Sequence, residues 1–117
     1  NFDMAIPNAV KLVVESTLIA YVEQKVPPHI RNKLYLSYRF SNNSVILIEN
    51  RPSFLKRDEW IESAVAKFRF TIKTNTWTLY CADRNSKWHK YYYSEPTEDF
   101  DLLLQAVDED HTGIFWG

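Results

Sequence analysis

The order of hydrophobic and polar residues predicts a helix at each end of the chain and strands between them. From Asn8 to Lys25 hydrophobic residues recur at steps of three and four, which is typical of one face of an amphipathic helix. The residues of this face are Val10, Val13, Val14, Leu18, Tyr21 and Val22. Asn8 is predicted to cap the helix, and Pro27 and Pro28 end it because proline disfavours helical geometry before it.

The middle of the chain alternates hydrophobic and polar residues with a period of two, which is typical of β-strands. The predicted strands are residues 34–40, 45–48, 64–72, 77–82 and 87–93. Residues 41–44 are expected to form the turn of a hairpin, and residues 51–60 a connecting loop with room for one helical turn. Short loops join the last three strands, so we expect neighbouring strands to be antiparallel.

The second helix is predicted to be capped by Thr97 and ended by Gly113, with a buried stripe between them. The stripe consists of Phe100, Leu103, Leu104 and Val107. The sequence therefore predicts an α+β fold, a five-stranded antiparallel meander sheet with both terminal helices on one face. With 117 residues and 45% hydrophobic content, the chain is expected to form one domain over residues 1–117.

Composition narrows the classes of function. Lys and Arg number 14 against 15 Asp and Glu, so the net charge of −1 creates no global attraction for nucleic acid, and any basic site must be local. Glycine occurs only at Gly113 and Gly117, which excludes the glycine-rich phosphate loops, and no cofactor is predicted. A single cysteine, Cys81, cannot form an internal disulfide, and no hydrophobic run reaches the roughly 20 residues of a membrane span. We expect a cytoplasmic protein without a membrane segment.

Basic and aromatic residues are mixed on the last three predicted strands. The candidate binding residues are Lys67, Arg69, Arg84, Trp88 and Lys90, together with Arg31 for its ability to grip a phosphate. Aromatic rings that stack on bases and cations that follow phosphates are how proteins bind single-stranded nucleic acid. This predicts a binding module rather than an enzyme. The alternative is an ordinary half-buried sheet, with aromatics in the core and cations on a solvated face.

Two other functions remain open. His29 and His89, with Asp83 or Glu49, are the residue types of a small hydrolase, in which a carboxylate orients a histidine for proton transfer. The alternative is that these are loop residues that bond to the backbone. The third hypothesis is a protein-interaction domain that forms homodimers through exposed aromatics.

The end of the chain offers weaker candidates. His111 follows three acidic residues without the ligand spacing of a zinc site, so no metal is predicted. Cys81 lies in a hydrophobic strand and is expected to be a packed thiol. Phe115 and Trp116 are predicted to pack against the sheet or the first helix, with an exposed hook for a partner as the alternative.

Several short motifs carry a resemblance to a known family. They are Val26-Pro27-Pro28-His29-Ile30-Arg31, Trp77-Thr78-Leu79-Tyr80, Asp83-Arg84-Asn85, Trp88-His89 and Thr112-Gly113-Ile114-Phe115-Trp116-Gly117. In this order they resemble the small bacterial family catalogued as domain of unknown function 3024, over nearly the whole chain. Cys81 departs from the pattern, which has an aromatic residue there. The resemblance implies a bacterial single-domain protein and supplies no activity.

Overall fold

The computed structural model describes residues 5–117, with a helix, five strands and a second helix in chain order. The elements are α1 (Asn8–Lys25), β1 (Tyr35–Ser41), β2 (Ser44–Pro52), β3 (Trp60–Thr71), β4 (Thr76–Ala82), β5 (Trp88–Lys90) and α2 (Phe100–Glu109). The strands lie side by side in chain order and every neighbouring pair is antiparallel. The predicted α+β meander is confirmed.

Both helices cover the same face of the sheet. The Tyr38 hydroxyl of β1 donates a hydrogen bond of 2.8 Å to Glu15 of α1. The ring of Phe100, in α2, lies 4.7 Å from Phe68 of β3 and 5.1 Å from Trp77 of β4. Strand partners and residues two apart point to one side, so the register places Tyr38, Phe68 and Trp77 on one face. The face away from the helices is called the open face below.

An extra residue in β3 interrupts the alternation of its side chains. Leu47 and Ile48 of β2 are neighbours, but their partners on β3 are Ala66 and Ala64, so Val65 forms a β-bulge. Even-numbered residues of β3 before the bulge share the open face with Ile48. Even-numbered residues after it share the helix-covered face with Leu47.

The predicted loop over residues 51–60 is wrong at both ends. β2 continues to Pro52 and β3 begins at Trp60, which leaves residues 53–59 as the tip of a long hairpin. The bulge explains the error, because it shifts the phase of alternation and hides the strand before it. β5 is also shorter than predicted, since it spans Trp88–Lys90 and a turn at Tyr92 and Tyr93 follows it.

Two details of α1 differ from the prediction. Pro7 is the N-cap and Asn8 is already helical, so the predicted cap is wrong. Val14 and Leu18 are buried, whereas Val13 is 68% exposed. At about 100° per residue, Val13 lies roughly 140° around the helix from Leu18, too far to reach the same core.

The N-terminus of α2 is capped by Asp99, two residues later than the predicted Thr97. The Asp99 carboxylate accepts the Asp101 N–H at 3.0 Å, while the Thr97 hydroxyl accepts the N–H of Asp99 at 3.1 Å. Thr97 instead exchanges two backbone hydrogen bonds with Trp77, which ties the start of α2 to β4.

The C-terminus of α2 is set by Asp110 rather than by Gly113. Asp110 adopts the left-handed conformation, with φ of 47°, and ends the helix at Glu109. Its carboxylate then accepts the backbone N–H groups of Phe115 and Trp116 at 3.0 and 2.9 Å. Gly113 falls in the following turn, and the tail is held against the helix end.

Candidate functional site

The open face brings four of the predicted binding residues together. The register aligns one residue from each strand in a row across this face. The row is Arg39, Ile46, Lys67, Tyr80 and Lys90. Arg69 and Trp88 lie two residues from Lys67 and Lys90 along their strands, so they point the same way. The face therefore presents cations from three strands beside two aromatic rings.

Lys67 lies at the centre of this group. Its Nζ is 5.8 Å from the centroid of the Tyr80 ring and 5.9 Å from that of Trp88, within the range of cation–π attraction. The three side chains are half-buried, while Arg69 and Lys90 are exposed. None of the ion pairs found among residues 5–117 involves Lys67, Arg69 or Lys90.

Two other aromatic residues in this part of the chain do not belong to this surface. Trp77 and Tyr91 are buried in the core under the helices, as the alternative interpretation of the aromatics anticipated. Tyr92 and Tyr93 are exposed in the turn after β5. The aromatic content of the strands therefore divides between the core and the open face.

Arg39 and Glu62 add an ion pair on the open face that sequence reasoning missed. Arg39 Nη2 lies 2.9 and 3.1 Å from the two carboxylate oxygens of Glu62. The alternation of β1 could have placed Arg39 on the outer side. Glu62 could not be placed, because the bulge hid its part of β3.

A gap separates β3 from the end of β4. Their pairing stops at Lys67 and Tyr80, so residues 60–66 of β3 have no described strand on that side. A cavity of about 610 Å³ occupies the gap, and its walls include Glu62, Arg84 and Trp88. Arg84, a fifth predicted binding residue, thus lines the same cavity as Trp88.

The structure joins one predicted histidine to a carboxylate. His89 Nε2 lies 2.7 Å from Asp83 Oδ2, and Asp83 Oδ1 accepts the N–H groups of Asn85 and Lys87 at 2.8 and 2.9 Å. Hydrogen bonds lower the pKa of Asp83 below its usual value. The bond with His89 has the largest effect, and the bond from the Lys87 N–H has the next largest. This carboxylate organises the loop between β4 and β5.

No nucleophile completes that pair within the described residues. Cys81 lies opposite His89 in the sheet, and its thiol donates a hydrogen bond to the His89 carbonyl at 3.6 Å. Burial raises the pKa of this thiol. No described hydroxyl or thiol bonds to the His89 ring. The hydrogen bonds of Asp83 to the loop explain the geometry of the Asp83–His89 pair by a structural role. The pair has only the residues that a hydrolytic site uses for proton transfer.

The remaining candidates lie elsewhere. Arg31 donates to the carbonyls of Val26 and Glu23 at 3.1 Å each, at the C-terminus of α1. Glu49 pairs with Arg51 at 3.1 Å, and His29 lies in a short 3-10 turn after α1. The structure does not bring His29 or Glu49 into hydrogen-bond contact with His89 or Asp83.

Neither a metal-binding cluster nor a membrane-spanning helix is found in the described part of the chain. Residues 5–117 contain no group of three His, Cys, Asp or Glu side chains arranged to hold a metal ion. His111 Nε2 lies 3.1 Å from Glu109 Oε1, within hydrogen-bond distance. Among the helices described, none has the length and hydrophobicity needed to span a bilayer.

Comparison with known proteins identifies one family. A search of the curated proteins and of the solved structures found no match to this chain. One family model matches residues 6–117, which is nearly the whole sequence and includes every motif that carried the resemblance. The chain belongs to this family, described as Domain of unknown function (DUF3024).

Proposed function

We propose that the protein is a binding module whose open face binds single-stranded nucleic acid. The position of Lys67 carries this proposal, because its ammonium group lies within 6 Å of both the Tyr80 and Trp88 rings. Arg69 lies two residues from Lys67 along β3, and Lys90 lies beyond Tyr80 on β5, both on the same face. Cations and aromatic rings thus alternate over three neighbouring strands.

The chemistry of this face suits unpaired bases. A base stacked on an aromatic side chain is worth about 1–3 kcal/mol, and every base has a surface that can stack. Lys67, Arg69 and Lys90 are left to neutralise phosphates, since the charge of Arg39 is used by Glu62. A duplex would present its phosphates but keep its bases away from the rings, so the rings favour a single strand.

The local charge must provide the electrostatic part of binding. The whole chain has a net charge of −1, so attraction depends on the cations of the open face and on Arg84 beside them. Binding of this kind weakens as salt concentration rises, because counterions are released from the strand. A measurable salt dependence is therefore part of the proposal.

The test replaces Lys67, Arg69 and Lys90 together with Ala. We expect weaker binding of a fluorescently labelled single-stranded oligonucleotide and a slope of log affinity against log salt that is smaller by about 0.7 per lost contact. Fluorescence anisotropy at several salt concentrations measures both quantities. Trp88→Leu should weaken binding without changing the slope, because it removes a stacking surface and no charge.

The matched control replaces Lys33, Lys56 and Arg57 with Ala. These exposed cations lie outside the open face, and their removal changes the net charge by the same amount. The control should retain most of the affinity. Equal losses in the two triple variants would mean that the effect is one of net charge alone, and absence of binding by the unmodified protein at low salt would refute the proposal.

A further inference from the structure

The first half of β3 is an unpaired sheet edge. β2 lies on one side of residues 60–66, and β4 pairs with β3 only from Lys67 onward. Trp60, Ile61, Glu62, Ser63 and Ala64 are all exposed. A strand edge in this state presents unsatisfied backbone donors and acceptors that are ready to pair with another strand.

The backbone groups that face outward can be assigned from the hairpin. The Ser53 N–H donates to the Glu59 carbonyl at 2.9 Å, which makes residues 53 and 59 a hydrogen-bonded pair. Bonded and non-bonded pairs alternate along an antiparallel ladder. The N–H and C=O groups of Trp60, Glu62 and Ala64 therefore point away from β2, toward the free side.

The side chains along this edge do not protect it. Natural sheets commonly guard an exposed edge with lysine, proline or inward-pointing charges. Here Glu62 carries the only charge between Trp60 and Ala66, and Arg39 neutralises it on the open face. Ile61 is 55% exposed. The edge is hydrophobic and accessible, and an identical edge is repelled only where the two Glu62 carboxylates face each other.

We propose that this edge pairs antiparallel with the same edge of a second copy of the chain, about a two-fold axis at Ile61. Three registers match the outward-facing groups of the two copies. Pairing Glu62 with Glu62 places like charges opposite each other, which is unfavourable. Pairing Glu62 of one copy with Ala64 of the other places Trp60 opposite Ala66. This position is next to Lys67, where β4 already pairs with β3, so there is little room for Trp60. Pairing Trp60 with Glu62 keeps the two Glu62 side chains from facing each other, leaves only the turn residues of the hairpin tip beside the end of β4, and places Ile61 opposite Ile61.

The chosen register also gives the hairpin tip a partner. Phe54 and Leu55, at the tip, are 103% and 93% exposed, the most exposed large hydrophobic side chains of the described chain. The antiparallel direction carries the tip of one copy past Ala64 of the other and toward the cavity between β3 and β4. The walls of that cavity are mainly polar, and Val65 and Phe115 are among its hydrophobic residues. Both copies make this contact, as two-fold symmetry requires.

The dimer extends one sheet across both copies. Paired residues in a sheet point to the same side, so the two open faces lie together and the helices of both copies lie on the other side. The pairing does not depend on nucleic acid, and it stands or falls separately from the proposed function. If both hold, the basic and aromatic group is present twice on one continuous surface.

Single cysteine substitutions test the register directly. In a non-hydrogen-bonded antiparallel pair the Cα atoms are about 4.5 Å apart, within the range that a disulfide spans. We expect Ile61→Cys to form a covalent dimer under mild oxidation, seen on a non-reducing gel. Ser63→Cys and Glu62→Cys report the other two registers. Ile72→Cys is the control, because Ile72 has a similar exposure of 50% and lies outside the edge.

Two outcomes of the crosslinking experiment would contradict the proposed dimer or its register. The native Cys81 is buried, so the unmodified protein should remain uncrosslinked. Crosslinking of Ile61→Cys no faster than that of Ile72→Cys would overturn the proposal, and faster crosslinking at position 62 or 63 would overturn the register.

Sedimentation provides a second readout that does not use cysteine. The unmodified protein should associate to a dimer as its concentration rises, and Ile61→Lys should sediment as a folded monomer because it places two charges opposite each other. Ile72→Lys should dimerise like the unmodified protein. A circular dichroism spectrum confirms that each variant is folded. An unmodified protein that stays monomeric at every concentration measured would refute the dimer.

Discussion

Asp108 shows how one carboxylate connects the two ends of the chain. Its Oδ1 accepts the Lys25 ammonium at 2.9 Å and the Tyr21 hydroxyl at 2.8 Å, so α2 is bonded to α1. These two hydrogen bonds lower the pKa of Asp108, and the bond from Lys25 has the larger effect. Burial, and then the bond to Asp108, raises the pKa of Tyr21.

Replacing Asp108 with Asn should destabilise the protein in a pH-dependent way. The pKa of Asp108 is lower in the folded state than its ordinary value of 3.8. Its charged form therefore stabilises the fold above about pH 4, and this contribution is lost as pH falls through the lower folded value. Urea denaturation from about pH 7 to about pH 3 should show a difference between the two proteins that shrinks on acidification.

The exposed loop residue Asp58 offers a matched control. Asp58 has a φ of 64°, which asparagine tolerates, so Asp58→Asn should leave the stability profile nearly unchanged. A stability difference between the Asp108 variant and the unmodified protein that grew on acidification would contradict the assignment.

At the scale of elements, α1 shows that a stripe of hydrophobic residues is broader than the surface it buries. Leu18 is fully buried, whereas Val13 contributes almost nothing to the core. We expect Leu18→Ala to reduce the free energy of unfolding by about 2–5 kcal/mol and Val13→Ala to change it by less than about 0.5 kcal/mol. Chemical denaturation of both variants measures the difference. Equal losses would mean that Val13 shares the core.

The strands separate what sequence can predict from what it cannot. Regular alternation in β1, β4 and the second half of β3 predicts them, because each has one face against the helices. The first half of β3 is missed for two reasons. It has no helix over it, so Ile61 is left exposed and no buried face marks the strand. The bulge at Val65 then shifts the phase of the pattern that follows.

Part of the candidate site also follows from the sequence, and part of it does not. Lys67 and Arg69 are two residues apart on one strand, so their common face follows from the sequence. The contact between Lys67 and Trp88 requires the register of three strands and does not follow from it. The pairing of Arg39 with Glu62 depends on the bulge as well.

At the scale of the whole molecule, the C-terminal tail joins three parts of the fold. The Phe115 ring lies 4.9 Å from Tyr91, after β5. The Trp116 indole N–H donates to the Val107 carbonyl of α2 at 2.9 Å, and the Lys25 ammonium of α1 lies 5.5 Å from its ring. The prediction that Phe115 and Trp116 pack onto the fold is confirmed, with α2 as an additional partner.

Removal of residues 114–117 should therefore destabilise the monomer. Loss of the buried Phe115 ring and the half-buried Trp116 is expected to cost about 3–5 kcal/mol, which is a large part of the stability of a small domain. Thermal melts of the intact and shortened proteins measure the effect, and Ile114→Ala provides a control at an exposed tail position. Equal melting temperatures with altered sedimentation would instead identify the tail as a contact for a partner.

The order of strands also affects how the chain reaches its fold. Each strand pairs with the strand next to it in sequence, so every hairpin forms by closing a short loop. The bonds from Tyr21 and Lys25 to Asp108 instead span 87 and 83 residues. Closing so long a loop costs more conformational entropy and is slower than closing a hairpin. The meander can therefore assemble first, and the meeting of the two chain ends becomes a late step that converts a partly ordered sheet into the complete fold.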